Sequence, residues 1–437
     1  MSQQEVIEER LSSHGKSTQA IALNLLDNNF PLQWKMVRLE EVASYINGYA
    51  FKPSDWGTKG LPIIRIQNLN DPTKQYNYFA GQIPERYLVR EGDILISWSA
   101  SLGTYMWSGT DAWLNQHIFK AIVKENIIFR DYFYWVMTRQ IEHIAAEQTY
   151  GSTMKHVVQK SFLNSQIPLP PLSEQHAIAK VLRTMYKAIL LRRDELELGR
   201  ERKAALMEYL FTHGAHNEPI KRTEIGEIPE SWQVVRLGEV FMTQLGKMLS
   251  PKAKVGKFPK PYMRNANVQW GHVDYSEVFE MDFNENEKTK FRLKNDDILV
   301  CEGGEVGRTA IWRDELSECY FQKAIHRLRP RSNQMLPTFF LYHMEHAFLY
   351  ENIYGVAGTE TTIAHLPQDK LVSMLIPKPS LDEQKLIAQI LEACDTCILT
   401  LQREIKLLEE LFKAVLEELM TGQLSTLPLI AEGETHE

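Results

Sequence analysis

The chain has 437 residues, 44% of them hydrophobic and 24% charged, with a formal net charge of −7. That composition fits a globular protein of about two to four domains and excludes a generally basic coat for nucleic acid, while leaving room for a local site. No apolar run reaches the ~18–20 residues of a membrane span, and four cysteines in a chain this long form no disulfide framework and fit a reducing cytoplasm.

Residues 1–29 are a polar N-terminal extension without an apolar signal-peptide core. VIEERL and IALNLLDN within it read as short helices covering the end of a helical rod. Residues 30–171 read as a first mixed domain. IIRIQNL (63–69), DILISWS (93–99) and KAIVKE (120–125) are short β-branched strands, and DYFYWVMTRQIEHIAAEQ (131–148) is a helix before the GST segment at 151–153. A long helix follows over 172–214, then a linker over 215–228. The second domain, 229–379, repeats the plan with strands at NDDILVC (295–301) and HRLRP (326–330). Its helical stretch PTFFLYHMEHAFLYENI (337–353) precedes AGTETT (357–362). A second long helix over 380–423 and a tail over 424–437 complete the chain. The fold class expected is α+β: two tandem mixed domains joined by two long helices forming an antiparallel coiled coil with pseudo-two-fold symmetry.

The parallel between the halves is an internal duplication. WKMVRLEEV (34–42) returns as WQVVRLGEV (232–240), an offset of 198 residues. EGDILIS (91–97) returns as NDDILVC at an offset of 204, NQHIFKAI (115–122) loosely as FQKAIHRL (321–328) at 206, and IPLPPLSEQ (167–175) as IPKPSLDEQ (376–384) at 209. The matches keep one order and diverge between blocks, so each copy is a variable domain followed by a more repetitive helix.

The second long helix carries apolar residues at Ile387, Leu391, Cys394, Ile398, Leu401, Ile405, Leu408, Phe412, Val415 and Leu419. Steps of four and three make a heptad seam. At ~1.5 Å per residue the helix is on the order of 60 Å long. The first helix uses the same register through Ile178, Leu182, Met185, Ile189, Leu196, Leu206 and Leu210, interrupted by Arg192, Gly199 and Lys203. Ser173 and Ser380, each after a proline stop, are the expected N-caps. The acidity of the chain is concentrated at its end: residues 380–437 hold four basic and twelve acidic side chains. A first helix that is basic in its middle, around Arg193, Arg200 and Arg202, and an acidic second one favour pairing within the chain.

Signatures of catalysis are missing. No phosphate-binding G-x-x-x-x-G-K-[ST], dinucleotide G-x-G-x-x-G or zinc-protease H-E-x-x-H occurs. His343 and His346 stand three apart on a helix without counterparts in the first copy, which favours packing over a metal. Cys394 and Cys397 have CxxC spacing, but Cys394 lies on the heptad seam. Asp296, Asp297 and Glu302 lack the lysine of a nuclease site.

The ordered set of IGEIPESWQVVRLGEV (225–240), GDIL and DDIL, NQHIFK, the GST segment and the PLSEQ and SLDEQ helices resembles the specificity subunit of type I restriction–modification enzymes, from about Phe30 to Gln423. The resemblance implies a non-catalytic subunit of a methyltransferase and endonuclease complex in the cytoplasm. Each variable domain would read one half of a bipartite, asymmetric target in double-stranded DNA. The helices would set the spacer and hold two methyltransferase subunits, and endonuclease–translocase subunits would join them. Cofactors would belong to those partners, none to this chain, and no membrane is involved. The competing class is a stand-alone DNA-binding scaffold that dimerises through its helices; a fused methyltransferase–nuclease would need an Asn/Asp-Pro-Pro-aromatic motif that is absent.

Base edges are read by Arg, Lys, Asn, Gln and Ser/Thr projected from loops, and phosphates by Lys, Arg and free N–H groups. The expected contacts in the first domain are Lys52, Arg65, Gln67, Asn68, Ser99, Ser101, Gln116 and Lys155. In the second they are Lys247, Lys252, Lys254, Arg264, Asn265, Asn267, Gln269, Arg308 and Lys323, with the lysine-rich, acid-free KMLSPKAKVGKFPK (247–260) as a phosphate-binding loop.

Overall fold

A computed structural model describes residues 30–99, 101–148, 159–250, 258–350, 365–428 and 430. The expected helices within 1–29, the GST and AGTETT segments, and residues 251–257 of the lysine-rich loop lie outside these residues. The described chain forms two compact units. One gathers the residues up to Leu191 with those from Ile405 onward; the other is Arg192–Glu404.

Each long apolar run becomes the centre of a sheet because it is covered on both faces. In the first unit Ile94–Ser97 lies between Ile118–Val123 and Gly103–Met106, with Ala43–Asn47 completing an antiparallel sheet of four strands. Side chains alternate across a strand. Ile94 and Ile96 therefore face a core with Phe133, Trp135 and Phe162, while Leu95 faces a second core with Ile64, Val89 and Leu114. That second core belongs to another four-stranded sheet, Asn77–Phe79, Leu61–Ile64, Ala112–Leu114 and Leu88–Val89 in that order.

The second unit repeats the scheme. Ile298–Cys301 is flanked by Ile325–Pro330 and Thr309–Ile311, and Phe241–Leu245 completes the sheet. Ile298 and Val300 face Phe339 and Phe340, and Leu299 and Cys301 face Met263, Trp312 and Phe321. The DILIS and DDILVC motifs recur because this strand has no solvent face to vary.

The motifs that flank each domain close it. Lys35–Arg38, from WKMVRL, pairs antiparallel with Gln166–Leu169, from IPLPP. Gln233–Arg236 pairs in the same way with Leu375–Lys378. A two-stranded ladder leaves an outer edge free, which is where prolines such as Pro168 and Pro377 are tolerated. The linker expected over 215–228 contains strand Ile220–Thr223, which forms a hairpin with Gly226–Pro229.

Two expectations change. IIRIQNL is not one strand: the strand ends at Ile64 and Ile66–Asn70 is a short helix, because Asn68 accepts the Arg65 N–H and turns the chain. The first long helix runs Leu172–His213, so Ser173 lies inside its first turn, and Pro171 occupies the place of Ser380. Ser380 does cap its helix, Leu381–Thr421, by accepting the Glu383 N–H at 3.3 Å.

The heptad reading of the second helix describes what the structure buries. All ten seam residues are buried or half-buried, whereas Leu399, Leu407 and Leu411 off the seam are exposed. Leu416, Leu419 and Met420 join the first unit's core together with Ile178, Ala179 and Leu182 of the first helix. Ile387 and Leu391 join the second unit's core with Met207, Leu210 and Phe211. Within each unit the two helices therefore run antiparallel. Both end on a glycine with positive φ, Gly214 at 69° and Gly422 at 73°, the left-handed cap that an L residue adopts only with strain.

Candidate nucleic-acid interface

The repeated Glu-Gln pair has an internal role in both units. Glu174 accepts Nε2 of Gln33 at 2.8 Å and Nε1 of Trp34 at 3.1 Å. Glu383 accepts Nε1 of Trp232 at 2.8 Å and the Ala215 N–H at 3.1 Å. Gln175 accepts the Phe129 N–H at 2.6 Å and donates to the Pro170 carbonyl at 2.8 Å. Gln384 accepts the Leu336 N–H at 2.8 Å and donates to the carbonyls of Gln334 and Pro379 at 2.9 and 3.0 Å. A buried primary amide satisfied on both sides is costly to remove. These contacts fasten each long helix to its domain.

On that scaffold, four loops converge in each unit. In the first, the Gly48 N–H donates to Ile118 O at 3.0 Å and the Gln116 N–H to Tyr49 O at 2.8 Å. A Cβ on Gly48 would lie 2.0 Å from the Asn115 carbonyl oxygen, so the approach requires glycine. The second unit builds the same turn: the Gly246 N–H donates to Ile325 O at 3.0 Å, the Lys323 N–H to Lys247 O at 2.7 Å, and a Cβ on Gly246 would meet Gln322 O at 2.1 Å. His117 and Ala324, next to Gln116 and Lys323, both have positive φ, 77° and 85°. Sharing this strain makes it a property of the turn, not of either side chain.

The other loops differ in chemistry. In the first unit the Trp98 ring lies tilted against His117 with ring centroids 5.2 Å apart, and Trp98 donates Nε1 to Asn47 Oδ1 at 3.3 Å. Asn70 Oδ1 accepts Tyr105 OH at 2.6 Å and Ser101 Oγ at 3.5 Å. In the second unit Arg308 donates to the Asn265 carbonyl at 2.8 Å and to Gln269 Oε1 at 3.2 Å, and Trp270 Nε1 donates to Glu305 at 2.8 Å. One cluster is aromatic and amide-rich; the other is built on arginine and carboxylate.

Of the expected contacts, Lys52, Gln67 and Lys323 are exposed, and Ser101, Gln116, Asn265 and Gln269 are half-exposed. Arg65 lies over the Trp56 ring at 4.7 Å and reaches Asn77 at 3.2 Å. Arg264 lies over Phe279 at 3.8 Å and pairs with Glu277 at 2.7 Å. Ser99 is buried. Lys155, Lys252 and Lys254 lie outside the described residues.

Three residues turn inward. Asn68 and Asn267 are 1% and 3% exposed; each accepts the N–H of an arginine three residues earlier and donates to carbonyls, Lys74 O at 3.0 Å and Asp274 O at 2.9 Å. They shape their loops from within. Lys247 donates to the Asp282 carbonyl at 2.6 Å and to Glu287 at 2.7 Å. The repeated Arg-x-x-Asn spacing (65–68 and 264–267) is the signal that would have identified the two asparagines as turn-formers. Trp98, His117 and Tyr105 escape a search for basic and amide loops because they are aromatic; Asn47 and Asn70 fit that search but are absent from the expected contacts.

Of the side chains that resembled catalytic groups, Asp297, His343 and His346 are taken up by internal contacts, whereas Cys394 is half-buried on the seam and Cys397 is exposed. Asp297 accepts the Lys294 N–H at 2.8 Å and Arg329 Nη2 at 2.8 Å. Burial pushes the Cys301 thiol up to about 11 and that of Cys319 to about 12, which keeps both as unreactive thiols. Burial also pushes His343 down to about 3 and His346 to about 4, and His346 stacks on Phe211 at 4.9 Å. Among the described residues no group of three His, Cys, Asp or Glu is placed to hold a metal ion, and no helix is long and apolar enough to cross a membrane.

A duplicated α+β domain with a constant frame and divergent loops, carried on paired helices, defines a class of two-module recognition subunit. The family model described as the type I restriction modification DNA specificity domain matches residues 31–198 and again 229–410. The chain belongs to this family, and its function is that of the DNA-recognition subunit of a type I restriction–modification system. It is 29% identical over 409 residues to the type I restriction enzyme MjaVIII specificity subunit of Methanocaldococcus jannaschii, covering 90% of this chain and 93% of that one. It is 25% identical over 418 residues to the EcoBI specificity subunit of Escherichia coli, covering 90% and 86%. Its fold is similar to the crystal structure of a type I S subunit from M. genitalium, with a TM-score of 0.53 at 16% identity over 90% of this chain and 97% of that one. It also resembles a chain from a structural study of type I complex assembly and conformational transition, with a TM-score of 0.56 at 19% identity over 91% and 100%.

Proposed function

We propose that each unit reads one half of a bipartite, asymmetric target in double-stranded DNA. The two long helices set the unread spacer and hold two methyltransferase subunits, and endonuclease–translocase subunits complete the assembly. The chain itself contributes recognition and no catalysis. The observation that carries this reading is the glycine-locked turn at Gly48 and Gly246: one backbone device presents Gln116 beside an aromatic cluster in the first unit and Lys323 in the second. A rigid frame with exchanged side chains is what two readers of different sequences need, because direct readout depends on donor and acceptor placement.

Lys52, Arg65, Gln67, Ser101 and Gln116 are the proposed contacts of the first reader; Arg264, Asn265, Gln269, Arg308 and Lys323 are those of the second. Purified alone, the chain leaves DNA unmethylated; mixed with its methyltransferase subunit it captures that subunit and directs methylation to one split sequence. Methylation by the isolated chain would refute the reading. Removing one heptad from both helices shortens the tolerated spacer by about 10 Å, roughly three base pairs. An unchanged spacer in sequenced methylated DNA would count against the ruler role.

A further inference from the structure

The first helix breaks its apolar seam at Lys203, and the structure shows what receives the charge. Lys203, 8% exposed, donates Nζ to Glu345 at 2.7 Å and pairs with Asp395 of the second helix at 2.7 Å. Tyr342 OH donates to Asp395 at 2.8 Å, and the ammonium lies 5.3 Å from the Tyr342 ring centre. The offset of 209 between the two helices maps Lys203 to Phe412 and Asp395 to Tyr186. In the first unit those seats are aromatic: Trp135 packs edge-on against both Tyr186 and Phe412, with ring centroids 5.5 Å apart in each case.

We propose that the Lys203–Asp395–Glu345 cluster is a pairing lock, which makes the first helix accept the second helix of its own chain and reject a like helix from another copy. Lys203 faces Asp395, and Tyr186 packs on Phe412. If two first helices paired in the same antiparallel register, each Lys203 would face a Tyr186. If two second helices paired, each Asp395 would face a Phe412. The first arrangement takes Asp395 from the buried Lys203 and leaves it Glu345 alone beside an aromatic ring; the second sets the half-buried Asp395 carboxylate against a ring without its lysine, although the unbroken apolar seam would be satisfied there. Apolar seam residues hold helices together without choosing among them; a buried polar group at one seam position fixes partner and register. The chain needs that choice, since its two helices are copies of each other and the second carries an unbroken seam able to pair with itself.

The test copies the first unit's residues into the second in the full chain: Lys203→Phe, Asp395→Tyr and Glu345→Thr, after Phe412, Tyr186 and Thr138, the last at the offset of 207 that relates Phe129 to Leu336 in their bonds to Gln175 and Gln384. The natural chain and the triple variant are each unfolded, refolded as a mixture of two differently tagged copies, and analysed by light scattering and co-capture. The expected result is at least a tenfold rise in mixed-tag oligomers for the variant over the natural chain. Equal exchange by the two proteins overturns the proposal. If the triple variant does not fold, a double-mutant cycle with Lys203→Met and Asp395→Asn decides. A coupling of tenfold or more in the unfolding equilibrium supports the lock, and strict additivity overturns it.

Discussion

The same seat in the two units is filled in opposite ways. In the first unit Trp135, Tyr186 and Phe412 form a wholly aromatic joint between domain and helices, reinforced one turn on by Arg139, which holds Glu417 through two bonds of 2.6 and 2.5 Å. In the second unit Tyr342, Asp395, Lys203 and Glu345 form a charged joint. Burial works against the Lys203 ammonium, yet the two carboxylates hold its pKa above the ordinary lysine value; burial pushes Glu345 above the ordinary carboxylate range, against the pull of Lys203. Equivalent seats thus hold either solution. The aromatic joint gains from burial outright, whereas the charged one works only with every partner present.

Breaking the comparison should have its largest effect in the second unit. Lys203→Met leaves two carboxylates facing an apolar seat and is expected to cost about 3–5 kcal/mol, read as a fall in the denaturant midpoint. Phe412→Ala in the first unit removes half-buried ring area and is expected to cost less, about 2–3 kcal/mol. Losses in the reverse order would show that the charged joint is slack. Gln175→Leu and Gln384→Leu test the shared anchors: each leaves an N–H and carbonyls unpaired, for about 2–3 kcal/mol, nearly equal in the two units.

Acid should separate the units further. Among the described residues, buried histidines are confined to the second unit: His326, His343 and His346. All three have lowered pKa values, with burial as the main cause, so below about 6.5 the unfolded chain binds protons that the folded unit refuses. Stability therefore falls as pH drops from 6.5 toward 4, by up to about 1.4 kcal/mol per pH unit per histidine. Glu417 behaves differently. Burial raises its pKa, but Arg139 and His143 more than offset this and hold it at about 2. Its contribution is present above the ordinary glutamate pKa of 4.5 and is lost as pH falls from there toward 2. Hydrogen exchange at pH 5 should open the second unit first, and His346→Phe should reduce the difference. The smallest expected effect is a gain: a Cβ at Gly199 would sit 3.7 Å from Ile398, so Gly199→Ala should stabilise the helix by about 0.5–1 kcal/mol.

Much of this was legible beforehand in periodic features. A heptad seam repeats one physical requirement ten times, so Ile387 to Leu419 declared their faces without a structure. The motifs WKMVRL and IPLPP were visible as repeats, but that they pair with each other across some 130 intervening residues was not, because register between distant strands leaves no local mark. The recognition residues were least legible. Asn68 and Gln67 are adjacent and similar in kind, yet one braces a turn from inside and the other faces solvent. An amide group serves either task, and only its surroundings choose.

The sequence by itself determined the duplication, the two helices and the asymmetry between them, since each follows from spacing and charge along one dimension. The tertiary structure decided what the interruptions mean. Lys203 in a list of seam residues is a flaw; beside Asp395 and Glu345, drawn from 192 and 142 residues away in sequence, it is a satisfied buried ion. Burial makes a lone charge intolerable and a paired one specific, and the pair exists only once the chain has folded.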